Sequence, residues 1–202
     1  MRLARISCVF FMSAMTLAFF SCATASVSRM EADKTTDLSG RWNDTDSRLV
    51  AEEMVGDALS RPWLKGFRSS EGKKPIVIVG TVRNRSSEHI ETLTFIKNIE
   101  RELVNSGSVR FVASKSERQE IRDEREDQQS WANESTVKRL AAETGADFMM
   151  QGVITSITDA VAGRKVVYYQ VNMELVNLES NEKVWIGEKK IKKSIERSGS
   201  KW

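Results

Sequence analysis

From Lys165 to Leu178 the chain reads KVVYYQVNMELVNL, with apolar side chains on every second residue. Val167, Tyr169, Val171, Met173 and Leu175 point one way, and Tyr168, Gln170, Asn172 and Glu174 point the other. An extended backbone turns successive side chains to opposite faces, so this segment is a half-buried strand. Before it, DFMMQGVITSITD (Asp147 to Asp159) is apolar on both faces at its start, as a central strand is. After it, Glu179-Ser180-Asn181-Glu182 makes a turn, and KVWIGEKKIKKSI forms the last strand of a meander. A chain that ends in three consecutive strands must find something to cover their apolar face, and the upstream residues supply it.

In LSGRWNDTDSRLVAEEMVGDAL, Asp44, Thr45 and Asp46 are N-cap candidates for a helix that carries Val50, Met54, Val55, Ala58 and Leu59 at helical spacing. Ser60-Arg61-Pro62 stops it. Lys74-Pro75 leads into IVIVGTV (Ile76 to Val82), a β-branched run that suits a buried strand. A second helix, capped by Ser87, is expected from about Glu88 to Asn105, with Leu93, Ile96, Ile99 and Leu103 on one face and Gly107 past its end. VRFVA (Val109 to Ala113) reads as a short strand. Ser114 and Glu117 have capping-box spacing and open a highly charged helix to about Gln129. Ile121 is its one large apolar residue, so that helix is expected to be exposed and mobile, with Arg122 and Glu126 paired on its surface. A short helix from Glu134 to Thr144 is expected to bury Val137, Leu140 and Ala141. The expected fold class is α/β (α+β): a single mixed sheet of about five strands with helices packed on it.

The amino end is of another kind. Arg2 and Arg5 precede Ile6 to Phe20, an uncharged, mostly apolar run that is short of the ~20 residues a membrane-spanning helix needs. This is the pattern of a secretory signal peptide, residues 1–21. Two readings of Cys22 stand side by side. It is a small residue near an ordinary cleavage site, or it is the first residue of the mature chain with lipid on its sulfur. Ser21-Cys22 resembles a bacterial lipobox. Cys8 leaves with the signal, and acylation removes the single thiol that would otherwise remain in an oxidising compartment. Ala23, rather than Asp, after the cysteine resembles an outer-membrane address facing the periplasm. Residues 22–38 then form the lipidated Cys22 and a short flexible tether, and 39–202 the globular domain. A tether of that length reaches at most ~55 Å. Without Arg2 and Arg5 the 31 basic residues become 29 against 28 acidic ones, a balance that does not point to nucleic acid.

Residues for catalysis are scarce. The single histidine, His89, cannot build a zinc site alone, and beside Ser86 and Ser87 it lacks the geometry of a nucleophile and its base. Glu52 and Glu53 read as a solvated helix face. Neither enzyme activity nor a cofactor or metal is expected. Two basic clusters invite a binding role. Lys189, Lys190, Lys192 and Lys193 either guard a sheet edge against pairing or dock an acidic partner. Arg83, Asn84 and Arg85, with neighbouring Glu88 and His89, leave the first strand at its carboxyl end, where α/β sheets place binding loops, and are candidate partner-binding residues; the other reading is a loop that satisfies itself and faces water. Trp42, Trp63 and Trp131 lie near predicted helix ends and are expected to cover the core.

Three stretches, DLSGRWNDTDSRLVAEEMVGDALSRPWL, PIVIVGTVRNRSSEHIET and EREDQQSWANESTVKRLAAETGADFMMQGVITS, resemble the LpoB family of penicillin-binding-protein activators. The resemblance implies a lipoprotein whose domain is similar to the N-terminal domain of TolB. It also implies a non-enzymatic role: docking on a class A penicillin-binding protein, a bifunctional peptidoglycan synthase, and raising its activity. Enterobacterial members have a long, proline-rich linker, whereas this tether is short and has no proline; the chain's prolines are Pro62 and Pro75. The alternative is a CsgG-type outer-membrane secretion or assembly lipoprotein, which needs amphipathic hairpins with one lipid-facing side. The hairpin from Lys165 to Ile195 carries many lysines for that task.

Overall fold

The computed structural model describes residues 25–32, 34–131 and 144–196. The signal segment, Cys22, and residues 134–143 of the expected short helix lie outside them. Met1–Lys34 and Thr35–Trp202 form separate compact units. In the first, residues 25–32 and 34 are exposed and carry neither helix nor strand, with one turn in which the Lys34 amide donates to the Glu31 carbonyl. Residues 35–38 of the expected tether lie in the second unit.

The second unit is one mixed sheet with helices packed on one face. In chain order it contains α1 (Asp44–Ser60), α2 (Pro62–Glu71), β1 (Ile76–Asn84), α3 (Thr92–Asn105), β2 (Arg110–Phe111), α4 (Lys115–Trp131), β3 (Phe148–Val161), β4 (Arg164–Asn177) and β5 (Lys183–Glu196). The strand order is β2-β1-β3-β4-β5. β1 runs parallel to β2 and β3, and β3-β4-β5 form the antiparallel meander. Val167, Tyr169, Val171, Met173 and Leu175 of β4 are all buried, on the face that meets the helices. From α1 come Val50, Ala51, Met54, Val55 and Ala58, and from α3 Phe95, Ile99 and Leu103. Each of the larger side chains among them (Val, Met, Phe, Ile, Leu) contributes about 1.5–3 kcal/mol when fully buried, so the stripes on α1 and α3 decide where those helices sit.

Four details differ from the expected elements. The cap of α1 is Asn43, not one of the next three residues. Its side chain accepts from the Asp46 amide at 3.0 Å and the Asp46 carboxylate accepts from the Asn43 amide at 3.0 Å, a reciprocal cap. Pro62 ends α1 but also opens α2, since proline's missing N–H costs nothing in a first turn. Trp63 and Phe67 of α2 then pack their rings on Phe148, with centroids 5.0 and 5.4 Å away. Third, α3 begins at Thr92 with Glu91 as cap, so Ser87, Glu88 and His89 belong to the preceding loop. Leu93 is correspondingly 57% exposed: it lies about 120° around the helix from Ile99, and Phe95 takes the core position. Finally, the short strand is only Arg110–Phe111.

Of the three tryptophans, Trp42 and Trp63 cover the core, as partly buried neighbours of it. The side chain of α4 residue Trp131 is outside the described set. Ser114 and Glu117 do cap α4, and Lys97 ties that helix to α3 by bonding Glu100 at 2.7 Å and Glu117 at 2.6 Å. Among the described residues no helix is long and apolar enough to cross a membrane.

Candidate docking surface

Val77 and Val79 of β1 face the helices. Strict alternation would send Thr81 and then Arg83 into the same core. The register with β3 instead shifts between Val79 and Val82, where β1 has one residue more than its neighbour. This bulge reverses the parity of the strand. Val82 is buried and Thr81 and Arg83 are exposed, so the arginine emerges on the face that no described helix covers. Arg85 continues the exposed row, held by its own amide bond to the Ile154 carbonyl at 2.7 Å.

On that open face a groove of about 340 Å³ is lined by Arg83, Arg85, Gln151, Asn172, Glu174 and Ile186, among others. Gln151, Asn172 and Glu174 in its lining belong to a ladder of polar groups on that face that largely bond one another. Gln151 donates to Glu174 at 2.7 Å, Gln170 donates to Asn172 at 3.1 Å, and the Tyr168 hydroxyl donates to Gln170 at 3.0 Å. Lys183 lies 2.5 Å from Glu174 and holds its carboxyl below the usual range, against the opposing effect of partial burial. The Glu174 carboxylate is thus compensated, whereas the guanidinium groups of Arg83 and Arg85 have no ion pair among the described residues. Ile186, 67% exposed, adds an apolar spot at the rim.

The five sequence candidates divide. Arg83, Arg85 and His89 are exposed. Asn84 is turned back into the loop: its amide donates to the Glu88 carbonyl at 2.8 Å, and its oxygen accepts from the Ser86 amide at 2.9 Å. Glu88 points inward as well. Its carboxylate accepts from the Tyr169 hydroxyl at 2.7 Å and from the Trp42 amide at 3.2 Å. Burial, and then the hydrogen bond to Glu88, push the Tyr169 hydroxyl above its ordinary pKa. Asn84 and Glu88 therefore shape the loop that Arg83 and Arg85 present. Ser87 adds a tie to β3, its amide donating to the Ser156 hydroxyl at 3.0 Å.

The lysine cluster divides by the same parity. Lys190 and Lys192 are exposed on the open face, Lys190 beside Glu188 at 2.5 Å. Lys189 and Lys193 turn toward the helices. Lys189 pairs with Glu53 of α1. Lys193, its side chain only 10% exposed, bonds Asp37 and Asp46, each at 2.6 Å, and the Arg41 carbonyl at 3.2 Å. Burial opposes its charge, but the two carboxylates more than offset that, and its pKa lies above the ordinary lysine value. Lys193 had no distinguishing mark in the sequence beyond its odd position in an alternating strand.

Chemically this surface offers cations, amides and one apolar contact, and it suits recognition of a carboxylate-bearing partner. Among the described residues no group of three His, Cys, Asp or Glu side chains is placed to hold a metal.

The family model described as "Peptidoglycan-synthase activator LpoB" matches residues 46–191. In structure the chain is similar to the LpoB C-terminal domain from Escherichia coli, at 14% identity over 64% of this chain and 93% of that one, with a TM-score of 0.37. The corresponding domain from Salmonella enterica gives 15% identity, the same coverage and a TM-score of 0.36. Lipoprotein GNA1162 from Neisseria meningitidis gives 16% identity over 62% of this chain and 88% of that one, with a TM-score of 0.38. Overlaps of this extent carry no argument about function. No protein with a curated description matches the sequence.

Proposed function

The chain belongs to the LpoB family, and from that premise we propose that it binds a class A penicillin-binding protein and raises its activity by contact alone. The observation that supports the docking site is the pair of arginines, Arg83 and Arg85, which have no ion pair among the described residues and line one groove on the open face beyond the β1 bulge. An activator that touches but does not react works by binding the partner's active conformer more tightly than its inactive one. A tenfold shift needs about 1.4 kcal/mol of difference. Charge-assisted contacts are worth about 1.5–3 kcal/mol each, so one arginine contact made with the active conformer alone supplies that difference.

The protein acts from the outer membrane, facing the periplasm, through acyl chains on Cys22. Twelve residues, 23–34, then separate the lipidated Cys22 from the folded unit that starts at Thr35. They span ~45 Å when extended. The synthase must therefore stand up from its own membrane to be met. The LpoB assignment is what supports a regulator rather than an enzyme.

The test is direct: purified protein is added to a purified class A synthase, and glycan polymerisation and peptide cross-linking are followed. A several-fold rise is expected. No rise, together with no synthase enriched in a pull-down from membranes over an unrelated lipoprotein bait, overturns the assignment. Detergent-resistant rings of many subunits would transfer it to the CsgG-type alternative. For the anchor, intact mass of mature protein from the native host is expected to show acylated Cys22 at the amino end; a bare Cys22 contradicts it.

A further inference from the structure

Residues 36–42 carry no helix or strand, yet they are bonded at almost every step. The Thr36 carbonyl and the Asp37 carboxylate accept from the Asn43 side chain at 3.3 and 2.7 Å. Asp37 also takes Lys193, the Gly40 carbonyl lies 3.4 Å from the Tyr169 hydroxyl, and the Arg41 carbonyl takes Lys193. Gly40 has φ +67°, and a Cβ there would lie 2.4 Å from Ile195, so the segment passes tight against the end of β5. Trp42 closes it. Its ring packs edge-on against Phe95 and Tyr169, with centroids 6.2 and 5.6 Å away, and its indole N–H donates to Ser47 at 2.7 Å.

This strap and the arginine loop meet at a single carboxylate. Glu88 accepts from the strap through the Trp42 amide and from the core through Tyr169. Its own carbonyl holds the Asn84 side chain, between the two arginines. Strap, Glu88 and Asn84 form a continuous hydrogen-bonded path from the root of the amino-terminal segment to the proposed docking residues.

We infer that residues 36–42 are a latch that sets the conformation of the Arg83–Arg85 loop, with Lys193 as the clasp and Glu88 as the positioning residue. The inference rests on the docking role proposed for that loop, which it deepens by adding a point of control. The latch sits where the segment from Cys22 enters the domain. Whatever draws on that segment loads the Thr36–Asn43 bond and then the bonds of Asp37 to Asn43 and Lys193. Release of the strap removes the Trp42 amide from Glu88 and loosens the loop while leaving both arginines in place.

Hydrogen exchange on the full chain tests this without the partner. Three variants are compared with the parent: Lys193→Met, which opens the clasp; Asp37→Asn, which weakens it and leaves the Lys193–Asp46 pair; and Glu88→Ala, which removes the acceptor at the centre of the path. Exchange in 36–42 is expected to rise roughly tenfold in Lys193→Met, and exchange in 84–90 to rise at least threefold with it. Asp37→Asn is expected to move both segments in the same sense by less, and Glu88→Ala to move 84–90 and the Trp42 amide while 36–41 exchange as in the parent. Amides of β4 serve as the control for folding. If they accelerate too in Lys193→Met, Asp37→Asn decides. A strap that loosens while 84–90 exchanges as in the parent overturns the inference. Failure of the docking proposal is separate: it shows as unchanged synthase binding in Arg83→Ala/Arg85→Ala.

Discussion

At Gly187 an added Cβ would sit 2.1 Å from the ring of Trp185, two residues away on the same face of β5. The indole is fixed by its own bond to Asp57 of α1 at 2.7 Å, so it cannot swing aside freely. Gly187→Ala is therefore expected to cost about 1–3 kcal/mol, read as a lower urea midpoint at constant slope. Lys193 makes the complementary case of a charge that the core requires. Lys193→Met leaves Asp46, 9% exposed, without its cation, for an expected loss of about 3 kcal/mol. The raised pKa of Lys193 means its contribution is complete below 10.5 and lost above it. The lowered pKa of Asp37, caused first by Lys193, means its share is present above 3.8 and lost below. The stability gap between parent and variant should thus stay constant between about pH 5 and 9 in denaturation series and shrink outside that window. The four lysines were visible in the sequence, but their separation into clasp and surface was not, because it depends on carboxylates 136 and more positions away.

Among the elements, β4 was legible because its period of two repeats over five buried positions. The stripe on α1 was as clear. β1 was legible as a strand but not as a bent one, although Gly80 inside an otherwise β-branched run is the usual mark of a bulge. That one glycine is the sequence signal for why Arg83 faces outward. α2 was missed because Pro62 serves as both stop and start, and its ten residues show their purpose only once Phe148 is beside Trp63 and Phe67. Phe95, fully buried on α3, should cost about 3–5 kcal/mol on change to Ala, whereas Leu93→Ala at the exposed position should stay within about 0.5 kcal/mol. The α3–α4 clasp adds a pH test. Hydrogen bonds from Lys97, then from Ser114, lower Glu117 from 4.5 to about 2. Its contribution is full above 4.5 and disappears as pH falls toward 2, so α4 amides are expected to lose protection in that interval.

For the whole molecule, the mixed five-stranded sheet with its helices on one face follows from the element order that the sequence patterns announce. The proposed docking surface does not, since it is assembled from β1, β3, β4 and β5 together. Two of its five nominated residues, Asn84 and Glu88, turned out to shape the loop while Arg83 and Arg85 present it. The central claim is that these two arginines are the contact through which the domain works. Affinity of the full chain for a class A synthase, measured for the parent and for Arg83→Ala/Arg85→Ala with unchanged thermal midpoint, tests it most directly. The account predicts at least about tenfold weaker binding by the variant, and a steeper salt dependence for the parent than for the variant. Equal affinity and equal salt dependence in the two proteins would contradict it.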